Sequence, residues 1–205
     1  MIPKLDIEHK KLFEAKFVVG KTFKLVKINI NSKQDAAFII ALRNRKLNNY
    51  LRTSSISLNE QMNYLKNYQL EHDRGEQIYY KIFDISKNTF NGIVRFTELN
   101  KVGKFCYESM VVKEDVSPVL PTDVVLAIYK IGFENLDKRI CGPFPVSKKN
   151  TRVLKWHEKI GMTEIINEDH EYFYLEISSK NYFNKIKKYN KLGLGLVSFE
   201  NQKQA

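Results

Sequence analysis

NTRVLKWHEKIGM, residues 150 to 162, spells out a helix with both of its ends. Asn150 can cap it, because its side-chain oxygen accepts from the free N–H groups of a first turn. TRVLKWHEKI then runs to Gly161, the residue that most readily takes the left-handed conformation at a helix C-terminus. On residue type alone, His157 reads as a helix-surface histidine beside Trp156. HEKIG is not a zinc-protease signature, since the second histidine is absent where that motif places one.

Working outward, a strand is expected from Arg139 to Val146 before this helix. A hairpin follows it, MTEIIN and EYFYLEIS, separated by Glu168-Asp169-His170, with Phe173, Leu175 and Ile177 alternating against Tyr172, Tyr174 and Glu176. Upstream, VVLAIYKIGFENL is apolar nearly all round and predicts a helix packed deep against a sheet, entered through a proline-punctuated loop, SPVLPTD, at 117 to 123. Residues 77 to 86, 89 to 99 and 104 to 113 read as three antiparallel strands, with turns near Lys87-Asn88 and at Asn100 to Gly103. Two helices precede them. Ser32 caps the first, with Ala36, Ile39 and Ile40 on one side, and Ser57 with Glu60 forms a capping box for the second, whose stripe is Leu58, Met62 and Leu65. FKLVKINI, residues 23 to 30, reads as the first strand. The order predicts an α/β (α+β) sandwich, a mixed and mostly antiparallel sheet with helices on both faces.

At 205 residues the chain has the length of one domain, 1–205, with a core over about 22–190. Residues 191–205 read as a flexible or accessory tail, and Gly193 and Gly195 in GLGL fit no phosphate-binding fingerprint. Thirty-four basic residues against twenty-three acidic ones give +11, a field that attracts phosphate-bearing ligands. The densest basic stretch, Lys180 to Lys191, is interleaved with Tyr182, Phe183, Ile186 and Tyr189 at helical spacing, so it predicts a docked amphipathic helix. No nucleic-acid-binding motif accompanies the charge. The opening MIPKLDIEHKKLFEAKF lacks a secretory h-region and no apolar run approaches membrane-spanning length, so a cytoplasmic protein with no membrane partner is expected. Cys106 and Cys141 fit no metal-ligand spacing, and reduced buried thiols with no metal are expected.

The segment from Asn150 to Met162 resembles the GNAT acetyltransferase superfamily, in which an asparagine is followed seven positions later by a tyrosine or histidine, then by lysine, glycine and an apolar residue. The resemblance covers roughly residues 22 to 190. It is nearest to the sugar-amine branch of pseudaminic-acid and related deoxyamino-sugar pathways, through LRNRKLNNYL with SLNEQMNYLKNY, VLAIYKIGFENLDKR, and RVLKWHEKIGM with EYFYLEISSKNYFNKIKKYNK. What it implies is direct transfer of an acetyl group from acetyl-CoA to an amine. Met110, Val111, Val112 and Lys113 match the splayed strand whose backbone binds the pantetheine arm and polarises the thioester. His157 is implied as proton donor to the leaving thiol. Glu108, on the same strand, is the candidate base, its rival role being a pair with Arg95 on the neighbouring strand.

The superfamily places an Arg or Gln and spaced glycines before its central helix, and this chain has SPVLPTD there. Free N–H groups at Thr122, Asp123, Val124 and on to Leu126 are expected to take over the cofactor pyrophosphate, helped by Asn150 and Arg152. Arg43, Asn44, Asn48 and Tyr50 are implied as contacts to the sugar or its diphosphate, with Arg95 beside them. The leading expectation is an N-acetyltransferase for a dTDP- or UDP-linked amino sugar of a surface glycan. The alternatives are a protein-amine acetyltransferase and a catalytically silent domain on the same fold. A homodimer is possible through the terminal strands or helix.

Overall fold

The computed structural model describes residues 7–44 and 57–201. Its sheet has nine strands in the order β7-β8-β6-β5-β4-β3-β2-β1-β9. In chain order the elements are α1 (Ile7–Glu14), β1 (Phe17–Val19), β2 (Phe23–Lys27), α2 (Lys33–Arg43), α3 (Leu58–Asp73), β3 (Ile78–Asp84), β4 (Thr89–Thr97) and β5 (Lys104–Val112). Then come α4 (Val119–Lys130) with a π-helical turn at Ile131–Asn135, β6 (Ile140–Ser147), α5 (Thr151–Ile160), β7 (Glu164–Glu168), β8 (Tyr172–Ser178), α6 (Ser179–Asn190) and β9 (Ser198–Glu200). Every neighbouring pair is antiparallel except β5 with β6.

The local chemistry follows the sequence closely where end signals exist. Ser32 accepts from the Asp35 N–H, Ser57 and Glu60 form the reciprocal capping box, and Gly161 ends α5 with φ 67°. Asn88 and Gly103 take positive φ at the two predicted turns. The stripe of α3 differs: Gln61, Leu65 and Tyr68 are buried, whereas Leu58 is 39% exposed. Leu58 is the first residue of that helix.

Two apolar clusters lie on opposite faces. The larger joins α4, α5 and α6 to the sheet through Phe96, Phe105, Tyr107, Tyr129, Phe144 and Tyr182. The smaller joins α2 and α3 to Tyr79, Ile93 and Val111. Both cysteines are buried and free. No helix among the described residues is long and apolar enough to cross a membrane.

The C-terminal segment corrects the expectation of a flexible tail. β9 pairs with β1, Lys21 donates to the Leu192 carbonyl, and the buried Asp123 carboxylate accepts from the Gly195 N–H at 2.8 Å. Gly195 has φ +73°, and a Cβ there would lie 2.9 Å from Leu126 Cβ, so glycine is needed for backbone shape and for close approach to α4. Gly195→Ala is expected to cost on the order of 1–3 kcal/mol. Gly193→Ala should cost less, because its new methyl meets only the flexible end of Lys21. Thermal melts of the two variants check this; the reverse order would show that the tail is not seated on α4.

Candidate active site

The sheet opens beside β5. β5 and β6 are registered only at Lys104 with Ile140 and Phe105 with Cys141, so from Cys106 onward the β6-facing backbone edge of β5 has no strand partner. On its other side β5 stays paired to β4, with one extra residue between Ile93↔Val111 and Arg95↔Glu108. That bulge reverses the alternation. Tyr107 and Met110 therefore both belong to the α4 cluster, while Val111 belongs to the α2/α3 cluster. Gly92 sits opposite, where a Cβ would come within 2.6 Å of the Val111 carbonyl. Met110, Val111 and Val112 thus form the end of the open strand, and Lys113 follows directly after it.

On the α2/α3 face, Tyr79, Arg95 and Glu108 form one cross-strand row over β3, β4 and β5. Arg95 donates to Glu108 and, through its other terminal nitrogen, to the Tyr64 hydroxyl of α3. Glu108 pairs with Arg95, as its rival role anticipated, and keeps 43% of its side chain exposed. Arg43 ends α2, with its Nε buried, and Asn44 is its exposed C-cap, donating its N–H to the Ile40 carbonyl. Asn48 and Tyr50 lie outside the described residues. Tyr64 and Tyr79 escaped the sequence reading. Their signal was the Gln61, Tyr64, Leu65, Tyr68 spacing on α3 and the period-two row on β3, which a Leu-and-Met stripe obscured.

His157 is brought to a different place. It is 5% exposed under α5, its ring 5.4 Å from Phe144, which lies 5.1 Å from Tyr107. The Phe144 ring thus packs against both His157 and Tyr107 of β5. Burial pushes its pKa down to about 4, so at neutral pH the imidazole carries no acidic proton to give to a thiolate. A buried, neutral imidazole does not fit the acid role expected of His157. It also lines an apolar cleft of ≈ 410 Å³ between α5 and the β7–β8 hairpin, with Leu154, Ile165 and Phe173.

This burial has a stability consequence. A histidine whose folded pKa lies below 6.5 takes up its proton more readily when unfolded, so its stabilisation is full above about pH 6.5 and drains away toward pH 4. At about 1.4 kcal/mol per pH unit the loss is on the order of 3 kcal/mol. Urea unfolding from pH 7 to pH 4 should show this decline in the parent and a shallower one in His157→Phe.

The turn before α4 also departs from expectation. The helix begins at Val119, so residues 119–123 of the predicted loop are helical, with Pro118 at its N-cap. Of the four positions with orphan amides, Pro118 and Pro121 have no N–H, and the Val119 and Leu120 N–H groups are spent on Ser117. The N–H groups of Thr122, Asp123, Val124 and Leu126 fall within the helical ladder. Asp123 is fully buried, accepting from the Thr22 N–H, the Thr22 hydroxyl and Gly195, and Val124 is fully buried too. The Thr122 hydroxyl donates to the Pro118 carbonyl and accepts from Trp156 Nε1. None of these is left for a phosphate, and the amide cradle expected here is absent. Exposed cationic side chains lie on or just before α5, the helix that Trp156 ties to Thr122: Lys149 and Arg152 at its start and Lys155 one turn on. Asn150 caps that helix, its Oδ1 accepting from the Val153 N–H. Among the described residues no group of three His, Cys, Asp or Glu side chains is arranged to hold a metal.

No family model matches the sequence, and no curated protein is significantly similar to it. Solved structures are. Apo FdhC, described as a nucleotide-linked sugar GNAT, is 27% identical, with a TM-score of 0.71 over 88% of this chain and 98% of that one. Campylobacter jejuni N-acetyltransferase PseH in complex with acetyl coenzyme A is 19% identical, with a TM-score of 0.57 over 76% and 98%. A GCN5-related N-acetyltransferase from Brucella melitensis is 13% identical, with a TM-score of 0.68 over 87% and 85%.

Proposed function

We propose that the chain is a GNAT-fold N-acetyltransferase that acetylates the amino group of a dTDP- or UDP-linked deoxyamino sugar, with acetyl-CoA as donor. The observation that carries this reading is the Tyr79–Arg95–Glu108 row, set one bulge away from the open edge of β5. The likeness to a nucleotide-linked sugar GNAT and the +11 charge support the nucleotide part of the acceptor.

Acetyl-CoA supplies an activated thioester whose thiol is a tolerable leaving group, with a pKa near 8.5 for an ordinary thiol. The unpartnered backbone of β5 at Met110 to Lys113 lines the opening that takes the acyl arm, and one oriented N–H donor there is worth on the order of 3 kcal/mol. Glu108 takes the proton that the amine must lose, directly or through water, and Arg95 holds the carboxylate in place. Lys113, Lys149 and Arg152 take over the phosphate contacts that the first turn of α4 cannot make. Binding through side chains in place of oriented amides makes cofactor affinity fall steeply with salt. Residues 1–205 act as one domain, with the seated tail as part of it.

Thermal melting tests the reading: a saturating ligand, at a hundred times its Kd, adds about 2.7 kcal/mol. Acetyl-CoA and one nucleotide-linked amino sugar are each expected to raise the midpoint. An unchanged midpoint with acetyl-CoA at low salt would overturn the reading.

A further inference from the structure

Around the Tyr79–Arg95–Glu108 row, hydrogen-bond donors outnumber acceptors. Arg95 spends its two terminal nitrogens on Tyr64 and Glu108, and its buried Nε has no partner among the described residues. Arg43 Nε is also buried and unpartnered, and so is the hydroxyl of Tyr79, a residue only 1% exposed. These groups share one locality, because Tyr64, Arg43 and Arg95 all act electrostatically on the Tyr79 hydroxyl, whose pKa burial pushes up.

The direction of each bond then matters. A guanidinium only donates, so the Tyr64 oxygen must accept from Arg95, and the Tyr64 hydrogen is left to be given elsewhere. The one carboxylate acting on Arg95 is Glu108, already bonded to it. Two cations, one anion and buried donors left without acceptors favour a ligand that brings oxygen acceptors and negative charge. A sugar hydroxyl would need acceptors as well as donors, and a polyamine would meet two guanidiniums. Buried donors that leave such a group unbonded each cost on the order of 1–3 kcal/mol.

We propose that Arg43 Nε, Arg95 Nε and the Tyr64 hydroxyl, with the Tyr79 hydroxyl beneath them, form a phosphoryl subsite for the acceptor, which presents the acceptor's amine at Glu108. The subsite deepens, and rests on, the reading of a nucleotide-linked acceptor. Tyr64 and Tyr79 are then specificity-determining residues, and Arg95 serves both the phosphoryl group and the base.

Isothermal titration with dTDP, UDP, inorganic pyrophosphate and CoA tests it, on the parent chain and on Arg43→Met, Tyr64→Phe and Tyr79→Phe. The two phenylalanine variants keep ring packing and serve as folding-neutral probes. The Kd of the preferred nucleoside diphosphate is expected to rise at least tenfold in Arg43→Met and several-fold in each phenylalanine variant, with CoA binding unchanged. Pyrophosphate should compete with the nucleoside diphosphate, separating phosphoryl binding from base recognition. Equal nucleoside diphosphate affinity in parent and variants, or no binding by the parent, would overturn the subsite. A parallel loss of CoA binding would assign the cluster to the cofactor and overturn it as an acceptor site. The two readings fail separately. Variant-sensitive dTDP or UDP binding without any acetyl transfer leaves the subsite standing, whereas transfer to a nucleotide-linked amine with unmoved KM in all three variants removes the subsite alone.

Discussion

Glu108→Gln is expected to lower kcat by about 10²- to 10⁴-fold, the range of a positioned general base, while the melting temperature barely changes. Glutamine has the same shape and can still accept from Arg95, so the fold loses little. What it loses is a site for the amine's proton. An acceptor amine arrives largely protonated at neutral pH, so raising the pH should restore part of the Gln variant's rate as free amine accumulates. His157→Gln, by contrast, is expected to keep kcat within about tenfold of the parent, because the imidazole is neutral and packs against Phe144. Steady-state rates over pH 6 to 9 separate the two. A large loss in His157→Gln with little loss in Glu108→Gln would reverse the assignment.

Asp123→Ala is expected to destabilise the protein by on the order of 3–5 kcal/mol, because it leaves three donors without their buried acceptor. For a chain of this length that corresponds to a fall in Tm of roughly 10 °C. Asp123 ties α4 simultaneously to the start of β2 and to the C-terminal segment, so the same residue holds three distant stretches of sequence together. Asp123→Asn keeps the size and one acceptor oxygen, so it should lose less than Ala. A chain ending at residue 190 should lose part of the same stability, since the Gly195 N–H and β9 go with the tail. Calorimetry of the three forms checks the order; an Asp123→Ala chain as stable as the parent would show that the buried carboxylate holds nothing.

The elements legible in the sequence were those with punctuation. α5 was bounded correctly because Asn150 and Gly161 mark its ends, and the three central strands because Asn88 and Gly103 mark their turns. α1, β1 and β9 were missed. β1 and β9 are three-residue strands, too short for a periodic signal, and β9 pairs with β1 from the far end of the sequence, which nothing local encodes. α4 was started too late because Pro121 was read as loop, although a proline in a first turn forfeits an N–H that would have had no helical partner. The same misreading suggested an amide cradle at Thr122 to Leu126.

The site was legible in parts. Glu108 and Arg95 could be paired from strand register, and Met110 to Lys113 from the resemblance. Tyr64 and Tyr79 were passed over because the helix stripe was read from Leu and Met, and the bond from Arg95 to Tyr64 joins elements far apart in sequence. The burial of His157 was not legible, because it depends on Phe144, a neighbour from β6.

The most direct test of the account is release of free CoA thiol from acetyl-CoA in the presence of a panel of dTDP- and UDP-linked amino sugars, with the acetylated product identified by mass. The account predicts stoichiometric thiol release and N-acetylation with at least one nucleotide-linked amine, slowed at least about a hundredfold in Glu108→Gln at neutral pH. Thiol release with simple amines or peptides but with no nucleotide-linked sugar would contradict it.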